Sequence, residues 1–166
     1  NLMVTVIGAG EERRLTDFAG TEGEQRLTDF AGTEGEQTLG GYQIARFEVT
    51  QELYAAVTGE NPSYYKNGAA EGEKQEKRPV EWVSWYDAVA FCNRLSSLSS
   101  LTPCYTVDGE RDPSKWNYTP HEGGSISGTV ECDAEADGYR LPTEAEWEFA
   151  ARGGDAGGWD YKYAGS

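Results

Sequence analysis

Histidine is nearly absent from this chain: His121 is the only imidazole in 166 residues. Any Ser-His-Asp or Cys-His arrangement would therefore have to run through it. Cysteine occurs three times, at Cys92, Cys104 and Cys132, and never as CxxC. One His and three scattered Cys do not build a four-ligand zinc site without help from carboxylates. Positive charge is also scarce, with 14 Lys plus Arg against 29 Asp plus Glu and a net charge of −15. Each neutralised phosphate needs a Lys or Arg, so this balance argues against a nucleic-acid partner. It argues equally against adsorption to an anionic membrane surface. No apolar run approaches the ~20 residues that span a bilayer. What remains is an acidic chain of 18.2 kDa with 37% hydrophobic residues, 21 Gly, ten Tyr and five Trp. Its length is that of one domain able to bury a core.

The chain starts at Asn1 with no basic stretch leading into an apolar one, so no signal peptide is visible. Its last residues, GGDAGGWDYKYAGS, carry aromatics that want a partner surface, which reads as a fold interrupted at Ser166. Residues 14–25, RLTDFAGTEGEQ, recur unchanged at 26–37. Two copies of twelve residues are too few and too short for a solenoid. They read as a duplication inside a surface loop, where added length costs little. The expected organisation is thus an N-terminal strand and loop over 1–40, then one domain portion over 41–166.

Residues 42–49 alternate as a strand. Thr50 is placed to cap a helix through Thr58, with Gly59 as its stop. Pro79 to Val83 reads as extended. Ser84 and Asp87 form a capping-box variant opening a helix on which Trp85, Ala88, Val89, Cys92 and Leu95 face the core. Residues 102–139 read as a β excursion: Tyr105-Thr106-Val107, a turn at Asp108-Gly109, and one returning strand from Ser125 to Glu131. Thr143 and Glu146 form a full capping box for a helix through Ala151, stopped by Gly153.

Few motifs carry chemistry. Val4 to Gly10 begins like a dinucleotide fingerprint, but Arg13 stands where the third glycine belongs. Asp133, Glu135, Asp137, Gly138 and Glu144 have EF-hand spacing, yet a strand precedes them and Pro142 interrupts the loop. An Asp-Gly turn feeding a capped helix is the favoured reading, and a calcium ion held more loosely by the same carboxylates is the alternative left open. His121 lies in a turn, Pro120 to Gly124, and no GxSxG surrounds any Ser. Cys92 reads as a small core hydrophobe. Cys104 and Cys132 bracket the β excursion, and the residues leave a disulfide and two free thiols both open. Closing that loop would contribute ~3–4 kcal/mol on the chain-entropy model.

Several stretches together resemble one family: Phe47-Glu48-Val49-Thr50, Asn61-Pro62-Ser63, PVEWVSWYDAVAFCNRLS at 79–96 and GYRLPTEAEWEFAARGG at 138–154. They are similar to the formylglycine-generating-enzyme (sulfatase-modifying factor) domain, over about residues 41–166. The resemblance implies an α+β chain with the C-type lectin-like fold, cut short on its C-terminal side. It also implies that Trp82, Trp85 and Trp147 supply apolar area to the architecture. The family's copper-binding cysteine pair and calcium ligands belong to later motifs that do not occur before Ser166, so no catalytic or metal residue carries over. Cys92 matches a structural position. Ala151 stands at the cysteine position of the ARGG segment, so the disulfide some members form there is excluded.

The same fold serves bacterial surface proteins, including the variable proteins of diversity-generating retroelements. The ENPSYY and LTPCYTVDG phrases resemble such non-catalytic members, spirochaetal ones included. The expectation is a non-catalytic ligand-binding module of a bacterial surface or periplasmic protein, without a cofactor in these residues. Its partner would be a protein or other surface ligand, bound by a face mostly beyond this chain. The rival expectation is a formylglycine-generating-type oxidase whose redox cysteines lie beyond Ser166. A purely structural accessory domain of a larger lipoprotein is the third.

Overall fold

Thr50 ends the extended chain and begins the first helix. Its hydroxyl accepts the Leu53 amide at 3.2 Å, and Gly59 at φ 89° closes α1 (Gln51–Thr58) in the left-handed conformation glycine adopts without strain. The computed structural model describes residues 47–121 and 123–151. Ahead of them it describes the strands β1 (Ile7–Gly8), β2 (Phe18–Thr21), β3 (Gln25–Leu27), β4 (Gln37–Leu39) and β5 (Tyr42–Ala45). β5 lies between β1 and β2, antiparallel to both, and β3 pairs antiparallel with β4. Of the run from Val4 to Gly10 only Ile7 and Gly8 are among the described residues, and the helix stop expected at Gly153 lies outside them.

Ser84 and Asp87 open α2 (Trp85–Leu98) with a reciprocal capping box. Every residue from Asp87 to Asn93 is buried, as are Leu95 and Ser96. The spacing predicts one apolar face; the structure shows a helix enclosed on nearly all sides, the form a helix takes at the centre of a core. Trp85, expected on the core face, is 43% exposed because it sits at the first turn, ahead of the enclosed segment. Phe91 stacks on Tyr54 of α1, centroids 5.2 Å apart and planes 7° off parallel. Val49, Val80, Val83, Val89, Leu95, Tyr105, Val107 and Trp116 complete this cluster.

Asn93 ties α2 to β6 (Tyr105–Val107). Its amide donates to the Tyr105 and Arg111 carbonyls at 2.7 and 2.8 Å and accepts the Tyr105 amide at 3.0 Å. Every polar atom of this buried side chain is thereby satisfied. The returning limb is two strands rather than one. β8 (Ser125–Ser127) pairs with β7 (Asn117–Thr119), and β9 (Val130–Cys132) pairs with β6. Gly128 at φ 124° turns the chain between them, so the ladder changes partner there. The run from Pro79 is likewise interrupted: Trp82 has φ 62°, a left-handed value that a bulky residue rarely adopts.

α3 (Glu144–Ala151) starts at the predicted box. Thr143 Oγ1 accepts the Glu146 amide at 3.2 Å, and Glu146 accepts the Thr143 amide at 2.8 Å. Arg140 grips the same carboxylate with both guanidinium nitrogens, at 2.8 and 2.6 Å. Ala145 and Phe149 pack on Tyr42 and Ile44 of β5, and Tyr42 donates its hydroxyl to the Glu146 carbonyl at 2.7 Å. Trp82 and Trp147, expected to supply buried area, are 66% and 54% exposed. The smaller Phe149 fills the α3 contact instead.

Gly138 is required by close approach. A Cβ there would overlap the Thr102 carbonyl oxygen and lie 2.7 Å from Ser96 Oγ. That hydroxyl accepts the Tyr139 amide and donates to the Cys92 carbonyl, so it cannot retreat without losing both bonds. Gly138→Ala is expected to lower stability by about 2 kcal/mol through this overpacking. Thermal unfolding checks it, and an unchanged midpoint would show that the 136–141 segment lifts off α2 freely.

Candidate functional site

The polar centre of the described residues lies at the N-terminus of α2. The Asp87 side chain is fully buried. Its Oδ2 accepts the Ser84 amide at 2.7 Å and the Ser84 hydroxyl at 2.8 Å, while Ser84 Oγ accepts the Asp87 amide at 3.1 Å. Oδ1 accepts the Tyr118 hydroxyl and, at 3.4 Å, the His121 amide. Burial pushes the carboxyl up, but the bonds from Tyr118 and Ser84, with the neighbouring His121, outweigh it and hold Asp87 below its ordinary value. The Tyr118 and Tyr54 hydroxyls move the other way, raised first by burial and then by the Asp87 charge.

His121 is brought here from 34 positions away, at φ 64°. Its Nδ1 lies 3.4 Å from Asp87 Oδ2 and its Nε2 lies 3.5 Å from Glu60 Oε1. Ser, His and Asp thus meet, but not as a catalytic triad. The Ser84 proton goes to Asp87, and His121 Nδ1 makes no hydrogen bond, so the hydroxyl has no base to activate it. The network holds a helix start and the 118–121 turn together.

The three thiols are equally unready. Cys92 is raised by complete burial; Cys104 is pushed up to about 11 by burial and then by Cys132; Cys132 is raised by burial. Protonated thiols are weak nucleophiles and poor metal ligands at neutral pH. The Cys104–Cys132 disulfide allowed by the sequence is not formed: both are free. The two limbs do pair, but Cys132 lies opposite Tyr105, and the Asp133 amide donates to the Cys104 carbonyl. The register thus sets Cys132 against Tyr105 and not against Cys104, which precedes the strand. Cys104 Sγ donates instead to the Gly138 carbonyl at 3.2 Å.

The EF-hand-spaced carboxylates are engaged in turns. Asp133 binds Arg111 at 2.6 Å and accepts the Glu135 amide, and Asp137 accepts the Thr102 amide at 2.7 Å. Among the described residues no three His, Cys, Asp or Glu side chains converge on one position.

A second feature is an open aromatic patch, of which the sequence reading took only Trp82, as architecture. Tyr64, Tyr65 and Trp82 are 68%, 62% and 66% exposed. Tyr64 stacks beside Trp82, centroids 5.9 Å apart and planes 22° off parallel, and meets Tyr65 edge-on at 5.0 Å.

The fold coincides with that of known proteins. The model of the sulfatase-modifying factor enzyme 1-like domain matches residues 3–165. The chain belongs to that family. The match takes in the residues ahead of Gly41 as well as the 41–166 portion that carries the motifs. This sulfatase-modifying-factor domain is 45% identical over 129 residues to Chaperone protein LppX of Paenibacillus barcinonensis, covering 77% of this chain and 41% of that one. Treponema denticola variable protein 1 superposes with a TM-score of 0.69 at 38% identity, over 90% of this chain and 55% of its own. CarF superposes at 0.62 with 30% identity, over 85% and 57%. The chain therefore has the C-type lectin-like α+β fold of these relatives and spans about half the length of each. No helix among the described residues is long and apolar enough to cross a membrane.

Proposed function

We propose that the chain is the N-terminal part of a non-catalytic ligand-binding module of a bacterial surface or periplasmic protein. Its variable face would be carried mostly by residues beyond Ser166. The observation that carries this reading is the 38% identity and 0.69 TM-score to a protein named for its variability. The chemistry of the described residues supports it: Ser84 has no base, and three protonated thiols offer no nucleophile. A relative named as a chaperone fits a protein ligand.

The family description names an enzyme, and this favours one rival: a formylglycine-generating-type oxidase with its redox cysteines outside these residues. Aerobic incubation of the full-length protein and copper with a cysteine-containing peptide separates the two. The binding-module reading expects the thiol to survive. Conversion of the cysteine to an aldehyde would overturn it. Surface proteolysis of intact cells tests location, with digestion of this domain expected and full protection counting against it.

A further inference from the structure

The aromatic patch is built, not incidental. The loop bearing Tyr64 and Tyr65 is pinned from below through buried side chains. Ser63 accepts the Glu81 amide at 3.2 Å, and the Asn61 amide donates to Gln51 Oε1 at 3.0 Å. Gln51 and Gln75 both donate to the Tyr65 carbonyl, at 3.1 and 2.7 Å. Glu81 Oε1 accepts the Tyr65 amide at 2.7 Å, joining this loop to the segment that carries Trp82. Backbones this firmly tied hold their rings in place before any ligand arrives, which lowers the entropy lost on binding. Exposed, preordered Tyr and Trp are the residues that concentrate binding energy at interfaces.

Trp82 adds an independent sign. Its φ of 62° is costly for a large side chain, yet the ring it positions is two-thirds in solvent. Nothing is gained for the core by that strain. Strained backbone persists where the surroundings over-determine it, and such positions cluster at ligand sites.

We propose that Tyr64, Tyr65, Trp82 and Glu81 form a docking site for an arginine-bearing segment of a partner protein. Two facts select that occupant. The ring faces carry the negative side of the aromatic quadrupole, which attracts a guanidinium laid flat upon them. The chain as a whole is acidic, with 29 acidic against 14 basic residues, which draws a cationic segment toward it. Glu81 spends Oε1 on the Tyr65 amide, and its other oxygen has no partner among the described residues, leaving it for the cation. The proposal rests on this patch and not on what the relatives bind.

The test compares the full-length protein with its Trp82→Gly variant, using a fluorescein-labelled oligo-arginine peptide in near-physiological salt and anisotropy as the readout. Trp82→Gly leaves the net charge unchanged and suits the left-handed backbone, so the melting temperature is expected to hold or rise. Affinity is expected to fall about ten-fold. Tyr64→Ala should weaken binding in the same direction, whereas Glu131→Gln, which removes a charge elsewhere, should leave it nearly unchanged. Equal binding by Trp82→Gly would mean attraction by bulk charge alone and would overturn the site. So would a drop in melting temperature, which would make Trp82 a packing residue of the whole protein. Competition by uncharged maltohexaose, or a dimer that Trp82→Gly dissociates, would assign the patch to a sugar or to a second copy and overturn the arginine assignment.

Discussion

Phe91→Ala is expected to lower the unfolding free energy by about 4 kcal/mol, the largest effect of any single truncation in this core. Phe91 lies at the middle of the one helix that is enclosed on nearly all sides, and it is fully buried. Its ring lies flat on Tyr54, whose own exposure is 1%, so truncation opens a cavity between α1 and α2 that neither helix can close by a rotamer change. The loss has two parts: the transfer free energy of the ring and the contacts forfeited by the cavity lining. Urea unfolding should show a lower midpoint at unchanged slope, since the surface exposed on unfolding hardly alters. Phe91→Leu should cost roughly a third as much. Near-equal costs for the two variants would mean the site collapses on truncation and that the Tyr54 stack is not what joins the helices.

Asp87→Ala is expected to cost about 3 kcal/mol, nearly as much, for a different reason. The carboxylate satisfies the Ser84 amide, the Ser84 hydroxyl and the Tyr118 hydroxyl inside the protein, and its loss leaves these donors buried without an acceptor. Tyr118→Phe removes one donor and leaves the acceptor otherwise occupied, so it should cost only about 1 kcal/mol. The variant should also change the acid limb of stability. Asp87 is held below its ordinary value in the folded state, so its contribution is fully present above the unfolded value near ~3.9 and is lost as pH falls through the folded one. Wild-type protein should therefore lose stability more steeply below about pH 4 than Asp87→Ala. Parallel curves would show that Asp87 contributes through shape and not through its charge.

The helix starts were legible because their signals are contiguous. Thr50, Ser84 with Asp87, and Thr143 with Glu146 each bond within four positions, and all three caps stand where the sequence placed them. What was not legible depends on distance or on register. Nothing local links Asp87 to His121 or Tyr118, although these contacts make the polar centre. The Ser125–Glu131 run alternates plausibly as one strand, and only Gly128 divides it. Cys104 and Cys132 lie on limbs that do pair, but the register sets Cys132 opposite Tyr105, and composition carries no trace of that register. The tryptophans were misplaced because residue type states preference and not location: Trp82 stands outside for a backbone reason that its neighbours do not announce.

The β3–β4 ladder has a consequence for inheritance. Gln25 and Gln37 close successive copies of the same twelve residues, and the hairpin pairs Gln25 with Leu39 and Leu27 with Gln37, straddling one copy. Slippage that gains a whole copy lengthens only the chain between two ladder segments, at a closure cost of about 0.6 kcal/mol per doubling. Lineages can therefore gain copies with little penalty to the fold, and the tract is suited to serve as a length-variable marker among close relatives.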